Sequence, residues 1–154
     1  MSPSNTVRLH RVLKAPADRV YRAFLDPKAK ERWLPPYGFL GQVHEHEARV
    51  GGSYRMSFTN FSTGSSHSFG GTYKELVPNE RLVYSDRFDD PNLPGVMTVT
   101  VTLRTVLCGT ELEIVQEDIP AAIPAEMCYL GWRESLLQLE RLVEPDIPDQ
   151  GEPG

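Results

Sequence analysis

Three short stretches of the chain hold residue types that could do chemistry. FTNFSTGSSHSFGG, from Phe58 to Gly71, sets Ser62, Ser65, Ser66, Ser68 and His67 among aromatic residues. A serine nucleophile needs a held base and an oxyanion hole, and the nucleophile elbow of the form G-x-S-x-G is absent. Neighbouring residues of an extended chain point to opposite sides, so Ser66 and His67 do not face each other. The run STGSSH has turn chemistry and reads as a loop between two strands. VHEHE places His44 and His46 two apart, on one face of a regular strand. A metal site needs a third and fourth ligand at consistent spacing, so the pair reads as a solvated strand face. RFDDPNLPG offers Asp89, Asp90 and Asn92 but lacks the alternating carboxylates of a calcium loop, and Asp-Pro-Asn is turn chemistry.

The fourth set is spread along the chain. Tyr54, Tyr73, Tyr84 and Asp86 fall on the inward parity of their strands, where a closed core would use Leu or Ile. A buried hydroxyl or carboxylate must find a partner or it costs about 1–3 kcal/mol. Two readings stand. Apolar walls with a few convergent polar groups describe a ligand pocket. Alternatively, the tyrosines direct their hydroxyls out through the sheet edge and Asp86 pairs with an arginine.

The elements that would position these residues follow from hydrophobic period. Thr6 to Leu13 alternates and reads as a strand. Ala17, Val20, Tyr21 and Phe24 fall at helical spacing behind Pro16, and Asp26-Pro27 ends that helix. A second short helix runs from Lys28 to Trp33 and stops at Pro35-Pro36. Six strand patterns come next: Phe39 to Ala48, Ser53 to Phe61, Ser68 to Val77, Arg81 to Phe88, Met97 to Leu107 and Thr110 to Glu117. Short turns between them imply an antiparallel meander. From Pro124 to Val143 the residues Cys128, Trp132, Ser135, Leu136, Leu139, Leu142 and Val143 form one stripe on a long helix. A sheet with one apolar face needs a cover, and this helix is the largest available. The expected fold is α+β: a helix-grip arrangement, with a curved antiparallel sheet of six to seven strands around the C-terminal helix. Residues 6–144 form the domain and 145–154 a polar, Pro/Gly-rich flexible tail.

The 154 residues carry a net charge of -5, and their 16 basic residues form no run. This argues against nucleic acid as a partner. No apolar stretch approaches the roughly 18 residues of a span, which argues against membrane insertion. The N-terminal MSPSNTVRLHRV lacks the apolar region of a signal peptide. Cys108 and Cys128 show no CxxC spacing and read as two buried thiols of a cytoplasmic protein. No cofactor loop or metal set appears, so neither a cofactor nor a metal is expected.

ARVGGSYRMSF, GGTYKELVPNERLVY, GTELEIVQ and LGWRESLLQLERLVE together resemble the START-like (SRPBCC, Bet v-type) helix-grip superfamily. The resemblance covers nearly all of residues 6 to 144. Within the superfamily they are most similar to the branch related to the C-terminal domain of the heat-shock protein 90 ATPase activator, alongside polyketide cyclase-like proteins. The resemblance implies a cavity between sheet and long helix, lined here by Trp33, Tyr54, Met56, Phe58, Tyr73, Tyr84, Asp86, Met97, Val99, Gly131, Trp132 and Ser135. It implies a partner that is a small hydrophobic or aromatic molecule. An enzymatic alternative is a cyclase- or dehydratase-like reaction with Asp86 as acid or base and Tyr73 or Tyr84 orienting a carbonyl. Gln116 is a further polar candidate, yet no family catalytic motif maps onto the chain. A third alternative is a protein-interaction module like the ATPase activator.

Two features of the last helix need explaining. Gly131 sits mid-helix at the edge of the stripe, where glycine costs about 0.8–1 kcal/mol against alanine. It marks space for a ligand or a crossing strand, or else a local bend. Leu130 and Leu137, with Met127 at the margin, fall off the stripe. They are covered by the early helices or shared with a second chain in a homodimer.

Overall fold

A computed structural model describes residues 5–149. The elements run β1 (Val7–Leu13), α1 (Ala17–Leu25), α2 (Pro27–Trp33), β2 (Phe39–His46), β3 (Ser53–Asn60), β4 (Ser66–Val77), β5 (Arg81–Phe88), β6 (Met97–Val106), β7 (Gly109–Glu117) and α3 (Ala125–Val143). All seven strands form one antiparallel sheet in the order β1-β7-β6-β5-β4-β3-β2. This is the α+β helix-grip fold. Chain order sets the strand order from β2 to β7, because each turn is too short for anything but an adjacent antiparallel partner. β1 then closes on β7, with Leu9 opposite Ile114.

The core lies between the sheet and the helices. Leu82, Met97, Val99, Val101, Leu112 and Ile114 project from β5, β6 and β7 toward Leu136, Leu139 and Val143 of α3, and all nine are essentially inaccessible. α1 adds Val20 and Phe24. Asp26 ends α1 and starts α2: its Oδ1 accepts from the Lys28 and Ala29 amides at 2.9 and 3.1 Å, with Pro27 in the first turn. At its other end α2 leaves carbonyls that α3 satisfies. Gln138 Nε2 donates to the Trp33 and Pro35 carbonyls at 2.9 and 2.6 Å, and the Ser135 hydroxyl donates to the Leu34 carbonyl at 2.5 Å. These bonds fix how far α2 stands from α3, and so the width of the space beneath them.

Several expectations need correcting. Cys108 is exposed, because the two-residue β6–β7 hairpin tip has no neighbours to bury a thiol, and Cys128, on α3 at the cavity wall, is only half-buried. Leu142 is exposed rather than part of the buried stripe. The serine-rich loop is shorter than expected, since β4 begins at Ser66 and includes His67. β2 carries a bulge between Val43 and Glu45 that shifts its register on β3. An extra residue reverses the parity beyond it, so His44 and His46 no longer share a face.

Leu130, Leu137 and Met127 are exposed, so α1 and α2 do not cover them. The remaining reading, a face shared with a second chain, is a proposal that sedimentation of the parent against Leu130→Ser would test. Residues 145–149 have no regular secondary structure, and Arg19 Nη1 reaches back to the Val143 and Pro145 carbonyls at 2.9 and 3.5 Å. The rest of the tail expected over 145–154, and residues 1–4 of the N-terminal stretch, lie outside the described residues. No described helix is long and apolar enough to cross a membrane.

Candidate functional site

The site begins with three tyrosines on adjacent strands. Tyr73 of β4 pairs in register with Tyr84 of β5, and Tyr54 of β3 lies opposite Gly71. Their ring centres are 5.5 Å apart for Tyr54–Tyr73, 5.8 Å for Tyr54–Tyr84 and 6.1 Å for Tyr73–Tyr84. Gly71 is required here because a Cβ would collide with the Ser85 backbone carbonyl. That carbonyl also lies 3.0 Å from the Tyr54 hydroxyl, which is likewise 3.0 Å from Asp86 Oδ1. The hydroxyl therefore has two acceptors for its one proton.

Opposite them, α2 delivers Lys30, only 6% exposed. It faces inward with Trp33, three residues on, because those two positions form the buried face of this short helix. Its Nζ stands 4.5 Å from the centre of the Tyr54 ring, in cation–π range, and donates to the Tyr73 hydroxyl at 3.2 Å. The Tyr73 hydroxyl lies 3.0 Å from His46 Nε2, so a polar chain runs from Lys30 through Tyr73 to β2. The ion pairs among the described residues do not join Lys30 to Asp86. Tyr54 stands between them, ring against the ammonium and hydroxyl against the carboxylate.

Burial sets the ionisation of this group. Loss of solvent raises Asp86 from 3.8 to about 6, opposed by the Tyr54 hydrogen bond and the charge of Lys30. Loss of solvent lowers Lys30 to about 8, opposed by Asp86. Burial also lowers His46, assisted by the nearby Lys30 charge. Near neutral pH the ammonium and the carboxylate are thus both ionised, and His46 is neutral.

These groups bound a cavity of about 160 Å³ between the sheet and α3. Its walls are Tyr54, Phe58, Phe69, Tyr84 and Phe88 from the strands and Cys128, Gly131, Trp132 and Ser135 from α3. Lys30, Asp86 and Gln116 supply most of its polarity, and His67 stands at its rim with its ring 5.8 Å from that of Phe58. Trp132 is held by a bond from its Nε1 to Gln116 Oε1 at 2.9 Å. An added Cβ at Gly131 would meet nothing within 4 Å, so no strand crosses there and the glycine faces open space.

Of the expected cavity residues, Tyr54, Phe58, Tyr84, Asp86, Gly131, Trp132 and Ser135 line this space together. Trp33, Met56, Met97 and Val99 do not; they are packed in the core, with Trp33 Nε1 donating to the Ala23 carbonyl at 2.9 Å. Inward parity places a side chain on the core side of a sheet but does not distinguish a packed layer from a cavity wall. Tyr73 sits behind the wall, in the hydrogen-bond chain. The alternative readings of the polar residues also resolve: Asp86 has no arginine partner, and the Tyr54 and Tyr73 hydroxyls turn inward. His44 bonds Ser57 Oγ at 2.7 Å, away from His46. Asp89 pairs with Arg55, and Asp90 Oδ1 accepts from the Asn92 amide in a turn. Among the described residues no group of three His, Cys, Asp or Glu converges on a point.

Lys30 was not legible as a site residue, and neither was His67 at the rim. The one signal for Lys30 was its place on the α2 face shared with Trp33.

The comparisons agree with this architecture. Residues 14–144 match the family of activator of Hsp90 ATPase homolog 1-like proteins, and the chain belongs to that family, within the START-like superfamily. A crystal structure from Chromobacterium violaceum is 63% identical over 92% of this chain and 99% of that one, with a TM-score of 0.92. An Arthrobacter aurescens solution structure is 23% identical over 96% and 91%, with a TM-score of 0.80. An AHSA1-like protein from Aeromonas hydrophila is 20% identical over 90% and 92%, with a TM-score of 0.73. The last two speak for the fold alone. No curated protein matches the chain.

Proposed function

We propose that the chain binds one small hydrophobic or aromatic molecule in the cavity between the sheet and α3. The observation that carries this is a cavity of about 160 Å³ whose wall is largely apolar, with rings from Tyr54, Phe58, Phe69, Tyr84, Phe88 and Trp132, and whose polar groups are few. Its size sets the scale of the ligand, because an apolar cavity of about 150 Å³ holds one benzene ring. A single ring or a short aliphatic group fits inside, and anything larger must extend past His67 at the rim. Trp132 reports on occupancy, since it forms part of the wall while the second tryptophan, Trp33, is packed in the core. The test is native mass spectrometry of freshly purified protein together with titration of tryptophan emission by ring-sized compounds. Saturable change in emission with a matching mass adduct is expected. Unchanged emission and unliganded mass across a broad panel of single-ring and short-chain compounds would sink the proposal.

A second reading is supported by the carboxyl of Asp86, held near 6 beside a cavity. A group so placed is suited to proton transfer on a bound carbonyl compound. In that case Asp86→Asn would abolish turnover while leaving binding in place; retained turnover in that variant would remove Asp86 as the base.

A further inference from the structure

Lys30 and Asp86 face one small cavity with opposite charges, yet Tyr54 keeps them from pairing with each other. Each has hydrogen-bonding capacity beyond its present partner. Lys30 has three donors, of which the Tyr73 hydroxyl takes one. Asp86 lies within hydrogen-bond reach of the Tyr54 hydroxyl and the Arg87 amide, and a carboxylate has about four acceptor positions. The rest of the wall is largely apolar: the Gln116 amide is already engaged with Trp132 and Met97, the Ser135 hydroxyl with the Leu34 carbonyl, and His67 lies out at the rim. We propose that this pair selects a neutral head group presenting an acceptor to Lys30 and a donor to Asp86, carried on a single aromatic ring: an aromatic amide or a head with the same paired donor and acceptor. This rests on the cavity being a ligand site.

The charges decide against the alternatives. An anionic head would gain Lys30 but be repelled by Asp86, and a cationic head would gain Asp86 but be repelled by Lys30. An apolar head would displace solvent from both groups and return nothing. A neutral head with both functions satisfies the two groups without adding a third charge to the cavity. The ionisation of both groups near neutral pH is consistent with this match.

The experiment is a titration of the protein at pH 7 with toluene, benzoate, benzylamine and benzamide, read by tryptophan emission and calorimetry. These probes differ only in the head. Benzamide is expected to bind at least about tenfold more tightly than each of the others, since a site built to hydrogen-bond rejects analogues that lack the groups. Lys30→Met and Asp86→Asn should each cut that lead to about threefold or less. Equal binding of all four, or preference for benzoate or benzylamine, overturns the head-group proposal and leaves the cavity as a binding site. Failure of every probe, toluene included, overturns the binding function itself. The ranking in the parent decides the matter even where a variant folds poorly.

Discussion

The ammonium of Lys30 stands 4.5 Å from the centre of the Tyr54 ring. The same tyrosine's hydroxyl touches Asp86 at 3.0 Å. One side chain thus contacts both buried charges and holds them at a separation where they interact without forming an ion pair. Each stabilises the ionised form of the other, and each is opposed by its own loss of solvent.

The first prediction follows from that coupling. Lys30→Met should raise Asp86 above its value of about 6, because the variant removes the cation that holds it down. Asp86→Asn should lower Lys30 below about 8 for the converse reason. Carboxyl and amine resonances followed by NMR through a pH titration measure both. If either group titrates unchanged in the other's variant, the two do not share one electrostatic site.

The pH dependence of stability gives the second. Asp86 is raised in the folded state, so between about pH 4 and 6 the native chain binds more protons than the unfolded one. Stability from this group therefore falls as pH rises through that window, and the cost is fully present above it. The displacement from 3.8 to about 6 corresponds to about 3 kcal/mol at most. The groups that act on it are Tyr54 from β3, Lys30 from α2 and the adjacent Arg87 amide, while Tyr84 and Cys128 are raised by burial and, after that, by its charge. Chemical denaturation at pH 4 and pH 6.5 should show the parent losing about 1–3 kcal/mol relative to Asp86→Asn between the two. A constant difference would mean that Asp86 titrates as an ordinary surface carboxylate.

The fold and the site were legible to different degrees. Hydrophobic period alone located β5 and α3 within a residue, because Leu82, Tyr84 and Asp86 share one strand parity and Trp132, Ser135 and Leu136 share one helix face. A strand bulge is invisible to such a pattern, which is why His46 was assigned to a solvated face when it in fact bonds Tyr73. Lys30 is hidden for a different reason. A lysine in a short helix ordinarily faces water, and its burial follows from how the Trp33, Leu34 and Pro35 carbonyls are tied to Ser135 and Gln138, about a hundred residues away. Long-range docking of that kind has no local signature.

That docking is the third prediction. Gln138 is half-buried and satisfies the carbonyls of both Trp33 and Pro35. Gln138→Ala should cost about 1–3 kcal/mol by stranding buried acceptors, with little direct effect on the cavity wall. Gln138→Glu should be at least as harmful, since a carboxylate cannot donate to either carbonyl. Urea denaturation of the two variants checks this. A Gln138→Glu variant as stable as the parent would show that water replaces the amide without cost.

The last prediction concerns Gly131, where sequence allowed a ligand space, a crossing strand or a bend. A Cβ there meets nothing within 4 Å, and the position lines the cavity. The carbonyl of Gly131 also lies 3.0 Å from the Ser135 hydroxyl, one turn further along α3, as a second acceptor beside that of Leu34. Gly131→Ala should therefore raise stability by about 0.5–1 kcal/mol, the gain in helix propensity with no clash to offset it. Gly131→Leu has room for its first atoms, and the rest of the side chain must occupy the space between Trp132 and the strands. It should fold, with a melting temperature no lower than the parent's by more than a few degrees, and lose the emission response to ring-sized compounds. Overpacking would instead cost about 1–3 kcal/mol. A stable Gly131→Leu that still binds every compound the parent binds would place the ligand elsewhere in the molecule.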